Sequence, residues 1–446
     1  MISIPLGPIP IRLLLLLLLA GGLGMLGWSV VRTAIGESVM TFVQRAPNLS
    51  AEDRIEGADM AARYSPGDPL IHWRRGGVYM SAAAEEQAEA RLAAALEEFR
   101  RAVRMSPDDY RGWMALGRAE ENNGDMTGAR KAFERAVELA PRHFDPRWAF
   151  GNHLLRADDR AASFAQMRLA LGYRPSALPL VFDYAWNAFN GNGKAIIAAL
   201  DPANELKPRM IVLMIERGRV EDAMELWRGM AAPTPDDIQR VSEALVNAGR
   251  FSAAWRIWSG ANPPDRPAPD AGSLLSNGDF ERQISLNATT PFYTWRLTPG
   301  GLFKLSLDRK DPHGGKQALR AGFNLGENMA FTIATQLVPV RPSTSYRLSF
   351  WVRTEDMEAL STPFVELYDP ALDVGVAGRP RAATPQLPNY NNVWHEYRLD
   401  LTTQAATEAL KVRIVRLPCP VPPCTINGRL WFDDFKLTEL DPSGGR

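Results

Sequence analysis

The sequence predicts a multidomain chain: one N-terminal transmembrane helix, then an α-helical repeat solenoid, then an all-β sandwich. Three observations predict it. An unbroken apolar run follows Arg12. Prolines recur at 107, 141 and 175, a constant spacing of 34 residues, which is the mark of a stacked helical repeat. After residue 272 the apolar pattern changes from helical spacing to strict alternation. At 446 residues the chain is also too long for one typical core.

The first element is the apolar run LLLLLLLAGGLGMLGWSVV, Leu13 to Val31. As a helix it spans close to the ~30 Å hydrocarbon core of a bilayer. Residues 12–31 therefore read as a transmembrane anchor or a signal. A cleaved signal normally has a shorter apolar run and an A-x-A-like cleavage site, which is not evident here. Trp28 suits an interfacial position. Residues 1–11 hold no acidic side chain and are expected on the cytoplasmic side. On either reading the bulk of the chain is expected in the periplasm or the cell exterior, and on the anchor reading the protein is a single-pass membrane protein. The two cysteines, Cys419 and Cys424 in CPVPPC, agree with that. In an oxidising compartment they read as a disulfide across a proline-stiffened loop. With 51 basic and 51 acidic residues the chain has no net charge, which argues against a general nucleic-acid or anionic-membrane binder.

The second element carries a family pattern. From Tyr110, the residues Trp113, Leu116, Gly117, Gly124, Ala129, Phe133, Ala136 and Pro141 resemble a tetratricopeptide repeat. Trp113 and Leu116 would face the partner helix, Gly117 and Ala129 would let two helices approach, and Pro141 would end the second one. The preceding unit matches at Trp73, Gly77, Ala95, Phe99, Ala102 and Pro107, and the following one at Gly151, Ala170 and Pro175, with Trp148 displaced by one position. Repeats are assigned to 51–175 and degenerate helical repeats to 176–260, with Gly218 and Gly249 at the turns. Residues 261–272, which include the proline-rich NPPDRPAPDAG, read as a linker. Such arrays line a concave groove with first-helix residues. Here these are Arg74, Arg111, Met114, Arg118, Asn122, Trp148, Asn152 and Arg156, a set suited to an acidic peptide or a C-terminal carboxylate of a protein partner.

The third element, residues 273–440, alternates as strands do. The runs are YRLSFWV (346–352), PFVELYD (363–369), KVRIVRL (411–417) and RLWFDDFKL (429–437). The stretch from NGDFE at Asn277, through Trp295, GKQAL and VWHEYRLDL to GRLWFDDFKL, resembles a carbohydrate-binding module of the jelly-roll, galactose-binding-like type. That resemblance implies a polysaccharide partner. It also implies a structural calcium between the acidic brackets, with Glu281 and Asp434 as carboxylate ligands, carbonyls near Asn277 completing the shell, and Asp433 or Asp279 as substitutes. The other reading of these acids is that they cap strand ends through backbone N–H groups.

Alternation places a sugar platform. Tyr346, Leu348, Phe350 and Val352 would face the core, leaving Trp351 and Arg353 outside. If the next run pairs with this one, Glu366 and Tyr368 share that face. Tyr390 and Trp394, in NYNNVW, are further candidates, with Trp394 expected in the core. Catalytic motifs are absent: the histidines at 72, 143, 153, 313 and 395 are scattered, and there is no G-x-S-x-G, P-loop or H-E-x-x-H. Adjacent Asp433 and Asp434 would point to opposite strand faces and so serve no common substrate. The expected function is a non-catalytic, membrane-anchored envelope adaptor, with the solenoid on a protein partner and the sandwich on a polysaccharide. The alternative is a structural or assembly scaffold with no sugar binding.

Overall fold

A computed structural model describes residues 9–86, 88–260, 269–282, 284, 292–298, 303–326, 328–390, 392–419 and 424–440. Most of the assigned N-terminal segment, and residues 261–268 of the linker, lie outside them. The chain divides into two compact units, residues 1–206 and 207–446.

The first unit is helical: α1 (Ile9–Arg45), α2 (Ala51–Tyr64), α3 (Pro69–Glu86), α4 (Glu89–Met105), α5 (Tyr110–Asn122), α6 (Met126–Leu139), α7 (Phe144–Arg156), α8 (Arg160–Tyr173), α9 (Leu178–Ala188) and α10 (Gly193–Leu200). Short polar side chains start several of them. Ser50 and Asp53 form a capping box at α2, and Asp109, Asp125 and Asp159 each accept a first-turn N–H at α5, α6 and α8.

Successive helices pack in pairs, as in a tetratricopeptide solenoid. In α5 and α6, a Cβ on Gly117 would lie 3.0 Å from the Phe133 ring. In α3 the equivalent close approach is at Gly76, where a Cβ would meet Phe99 at 2.8 Å, while Gly77 has nothing within 4 Å. The match at Gly77 is therefore off by one residue, and the helix is turned by about 100° from that expectation.

Helix α1 has two distinct parts along its length. Leu13 to Val30 project their large apolar side chains into open space. Beyond Arg32, however, Gly36, Met40 and Val43 are buried, four and then three residues apart. Met40 joins Ala58, Ala61, Ala62 and Ile71 in a small core, and Arg32 donates to the Arg63 carbonyl at 3.0 Å. The first part is long and apolar enough to cross a membrane.

The second unit opens with four helices: α11 (Lys207–Glu216), α12 (Val220–Arg228), α13 (Pro235–Asn247) and α14 (Phe251–Gly260). Strands follow: β1 (Arg296–Leu297), β2 (Phe303–Asp308), β3 (Ala318–Leu325), β4 (Phe331–Pro339), β5 (Ser345–Ala359), β6 (Phe364–Tyr368), β7 (Arg381–Ala383), β8 (His395–Thr402), β9 (Ala409–Arg416) and β10 (Ile426–Glu439). They form two antiparallel five-stranded sheets, ordered β1-β4-β9-β6-β7 and β2-β3-β10-β5-β8. The core between the sheets takes the inward sets expected from alternation, including Tyr346, Leu348, Phe350 and Val352 from β5 and Leu430 and Phe432 from β10.

The last helices are fastened to the sandwich. Ser252 in the first turn of α14 donates its N–H to Glu408 just ahead of β9, at 2.8 Å. Tyr293 donates to the Phe251 carbonyl at 3.2 Å, and its ring lies 4.8 and 5.2 Å from those of Trp255 and Trp258. Burial there raises the pKa of the Tyr293 hydroxyl.

The two bracketing stretches form the seam. Phe435 donates its N–H to Gly278 O at 2.9 Å, and Leu274 donates to Leu437 O at 2.8 Å. A Cβ on Gly278 would fall 1.9 Å from Phe435 O, so only glycine allows this approach. The Cys419–Cys424 disulfide is present. Beside it, Arg416 is fully buried and donates to the carbonyls of Ser361, Met329 and Cys424 at 2.8–2.9 Å.

Candidate binding surfaces

The first-helix face of the repeats is less basic than its residue types imply. Arg111 is exposed, but Asp109 chelates its guanidinium at 2.8 and 2.9 Å. Arg156 pairs with Glu121, and Asn152 is buried with its amide on the Trp148 carbonyl at 2.8 Å. Arg118 and Asn122 are exposed on α5, and Arg118 has no ion pair among the described residues. The one-residue shift in α3 turns Arg74 away from the position matched on Gly77. Trp73 becomes the equivalent of Met114 and Trp148. Trp148 stacks on Phe144 and meets the Tyr184 ring of α9 edge-on at 4.9 Å. What this face offers is aromatic surface with one unpaired cation.

Between the repeats lie polar clusters that the repeat pattern did not reveal. Glu98 of α4 accepts from Arg75 at 3.0 Å and bonds His72 at 2.6 Å; Arg75 and Tyr79 both reach Asp59 of α2 at 2.8 Å. Glu121 of α5 bonds His153 of α7 at 2.8 Å and receives Arg156. Burial alone would push the Glu98 and Glu121 carboxyls up. Their hydrogen bonds and the nearby arginine charge outweigh it and hold both below the ordinary glutamate value. A depressed folded-state pKa gives stability that is present above the unfolded value and lost as pH falls through the folded one. Thermal melts of the first unit should therefore drop as pH falls below about 4.3. Glu98→Gln with Glu121→Gln should flatten that slope; an unaltered slope contradicts the assignment.

The sandwich separates the expected sugar platform. β5 pairs with β10 and β8, whereas β6 pairs with β9 and β7 in the other sheet. Trp351 and Arg353 thus share no face with Glu366 and Tyr368. Glu366 does face away from the core, but it is fully buried: Arg381 reaches it at 2.7 Å and Arg413 closes on its other oxygen. Tyr368 is buried too, with its hydroxyl donating to Asp373 at 3.1 Å and Arg413 over its ring. Neither side chain is open to a ligand.

On the other sheet, His313 stacks on Trp351 at 3.8 Å and covers one face of that indole. Arg353 is 3% exposed, bonds Asp311 at 2.6 Å, and lies over Trp431 at 4.3 Å and Trp394 at 5.1 Å. Trp431 sits in register between Arg320 and Arg353, so the row alternates cation and indole, a cation–π packing device. Trp394 is half-buried on this outer face rather than in the core. Tyr390, also half-buried, stacks on His395 at 3.8 Å.

At the seam the carboxylates meet N–H groups. Glu281 Oε1 accepts from Lys316 N at 2.5 Å and Gln317 N at 2.9 Å. Asp433 Oδ2 accepts from His313 N at 2.9 Å and Gly314 N at 3.2 Å, and Asp434 bonds His313 Nδ1 at 2.6 Å. Asn277 O accepts from Trp295 Nε1 at 3.0 Å. A bulge between Asp433 and Lys436, with Asp434 at φ 51°, turns both aspartates onto this one loop. The expectation that they point to opposite faces fails for that reason. Burial raises the Asp433 carboxyl to about 6.

Paired helices, a glycine at the α3–α4, α5–α6 and α7–α8 crossings and a 34-residue period define a helical-repeat protein, a class that presents extended concave binding surfaces. The tetratricopeptide-repeat profile matches residues 80–143. TPR repeat-containing protein PA0015 of Pseudomonas aeruginosa is 31% identical over 91 residues, which cover 20% of this chain and 80% of that protein. The chain belongs to the tetratricopeptide-repeat family. Among solved structures, MamA 41-end from Desulfovibrio magneticus RS-1 is 13% identical, with 44% of this chain and 92% of that one covered at a TM-score of 0.29. The first TPR of Spaghetti (RPAP3) bound to an HSP90 peptide is 16% identical, with 29% and 93% covered at a TM-score of 0.24.

Proposed function

We propose that the protein is a non-catalytic adaptor held at a membrane by α1, with the first-helix face of its repeats taking a protein partner. The observation that carries this reading is the α5–α9 face, where exposed Arg118 accompanies the Trp148–Tyr184 aromatic pair on a repeat built for interaction. A partner segment combining an apolar side chain with a carboxylate complements it. Membrane attachment is supported by the build of α1. Its bare apolar part runs without a break into Gly36, Met40 and Val43, so a span would be rigidly joined to the solenoid. A periplasmic or external location is supported by the disulfide.

The test is partner capture from envelope extract by the full-length protein. Arg118→Glu, on an exposed site where folding has little at stake, should lower recovery of the captured partner at least tenfold. Equal recovery would sink the groove reading.

For the sandwich, the scaffold reading is favoured over sugar binding. The observation behind it is that Glu366 and Tyr368 are consumed by internal pairs and Trp351 lies under His313. We also propose that the seam closes through hydrogen bonds rather than calcium. Its carboxylates are met by N–H donors, while a calcium shell needs about six to eight oxygens. The melting temperature of the sandwich-bearing unit should then be unmoved by chelator or by millimolar calcium. A clear rise with calcium would show that the donors rearrange around an ion.

A further inference from the structure

A second surface, in the C-terminal unit and independent of the repeat groove, has the makings of an anion site. A cavity of about 610 Å³ opens between α12, α14 and the turn before β9. Three arginines line it: Arg228 at the end of α12, Arg250 just before α14 and Arg256 within α14. All three are exposed and none has an ion pair among the described residues. What distinguishes them is that all three line one cavity.

The same helices also bring apolar side chains to the cavity: Met224 and Trp227 from α12 and Ile257 from α14. Two carboxylates, Glu221 and Glu408, also border the cavity and offset two of the three positive charges. Glu408 is spent on the α14 N-terminus, where it accepts the Ser252 N–H at 2.8 Å. Glu221 stands on the first turn of α12, where the helix dipole favours a negative charge. Three guanidiniums against two carboxylates leave the rim net positive. Arginine forks interspersed with apolar side chains suit a ligand that carries carboxylates and hydrocarbon together.

We propose that this cavity binds an acidic, partly apolar peptide segment of a partner protein, with its carboxylates on Arg228, Arg250 and Arg256 and its apolar side chains against Trp227 and Met224. The site is fixed to the sandwich through Glu408, so a bound segment would be held in a constant position relative to the sheets.

Calorimetric titration of the full-length protein in detergent tests this, using a short soluble peptide of glutamate and leucine as the probe. Substituting Arg228→Glu and Arg256→Glu should weaken binding at least tenfold, and a peptide with glutamine in place of glutamate should bind as weakly. Arg118→Glu should leave the affinity within twofold, which separates this site from the repeat groove. Arg228→Lys with Arg256→Lys checks that charge and not folding is at issue, and should retain part of the affinity. The proposal is overturned if the double reversal binds like the parent, if Arg118→Glu removes binding instead, or if polygalacturonate binds as tightly as the peptide.

Discussion

Replacing Arg416 with leucine is expected to lower the unfolding free energy of the C-terminal unit by about 3 kcal/mol or more. Arg416 is fully buried and makes no ion pair among the described residues. Its three nitrogens instead donate to the carbonyls of Ser361, Met329 and Cys424. Burial without a carboxylate pulls its pKa down. Leucine fills part of the volume but leaves three buried acceptors with no donor, each worth about 1–3 kcal/mol. Lysine should recover only a part, because one ammonium cannot reproduce a planar fork aimed at three carbonyls. Urea melts decide it: a loss under about 1 kcal/mol for the leucine variant would mean that water replaces the guanidinium without penalty.

Gly278→Ala should be the next most damaging change, at about 3 kcal/mol, the upper end for overpacking. The added methyl would meet Phe435 O at 1.9 Å. That neighbour is backbone, held by the Phe435 N–H bond to Gly278 O, so it cannot swing aside. The seam must open, and the Phe280, Trp295 and Phe435 rings packed beside it, at 5.1–6.0 Å from one another, lose their arrangement. A melt indistinguishable from the parent would contradict the account of the seam.

How much of this was legible in the sequence differs by element. The repeat was, because helix pairs leave a period in the chain: the prolines at 107, 141 and 175 and the glycines at 117 and 151 stand at fixed intervals. The register of the preceding unit was not. It holds two consecutive glycines, and only packing shows that Gly76, not Gly77, meets Phe99. The inward set of β5 could be read from alternation, but strand partners could not. Placing Trp351 beside Glu366 needed β5 and β6 to be neighbours, and they belong to different sheets. The Arg320–Trp431–Arg353 row was hidden for the same reason, since it exists only once β3, β10 and β5 are in register. The shared environment of Asp433 and Asp434 was hidden by a bulge, which breaks the period of two that the strand argument used. The charge of the groove was misjudged because Asp109, two residues before Arg111, and Glu121, on the first helix of the repeat before Arg156, take up arginines that residue type alone leaves free.

If the first-helix face of the repeats holds a protein partner, a crosslinker placed on that face should capture it. Site-specific photocrosslinking in intact cells tests this most directly, with the photoreactive residue at Asn122, exposed on α5, and in parallel at Arg130, exposed on α6. A discrete crosslinked species is expected from position 122 and should be lost with Arg118→Glu, with none of that species from position 130. The same species from both positions, or from 130 alone, would contradict it.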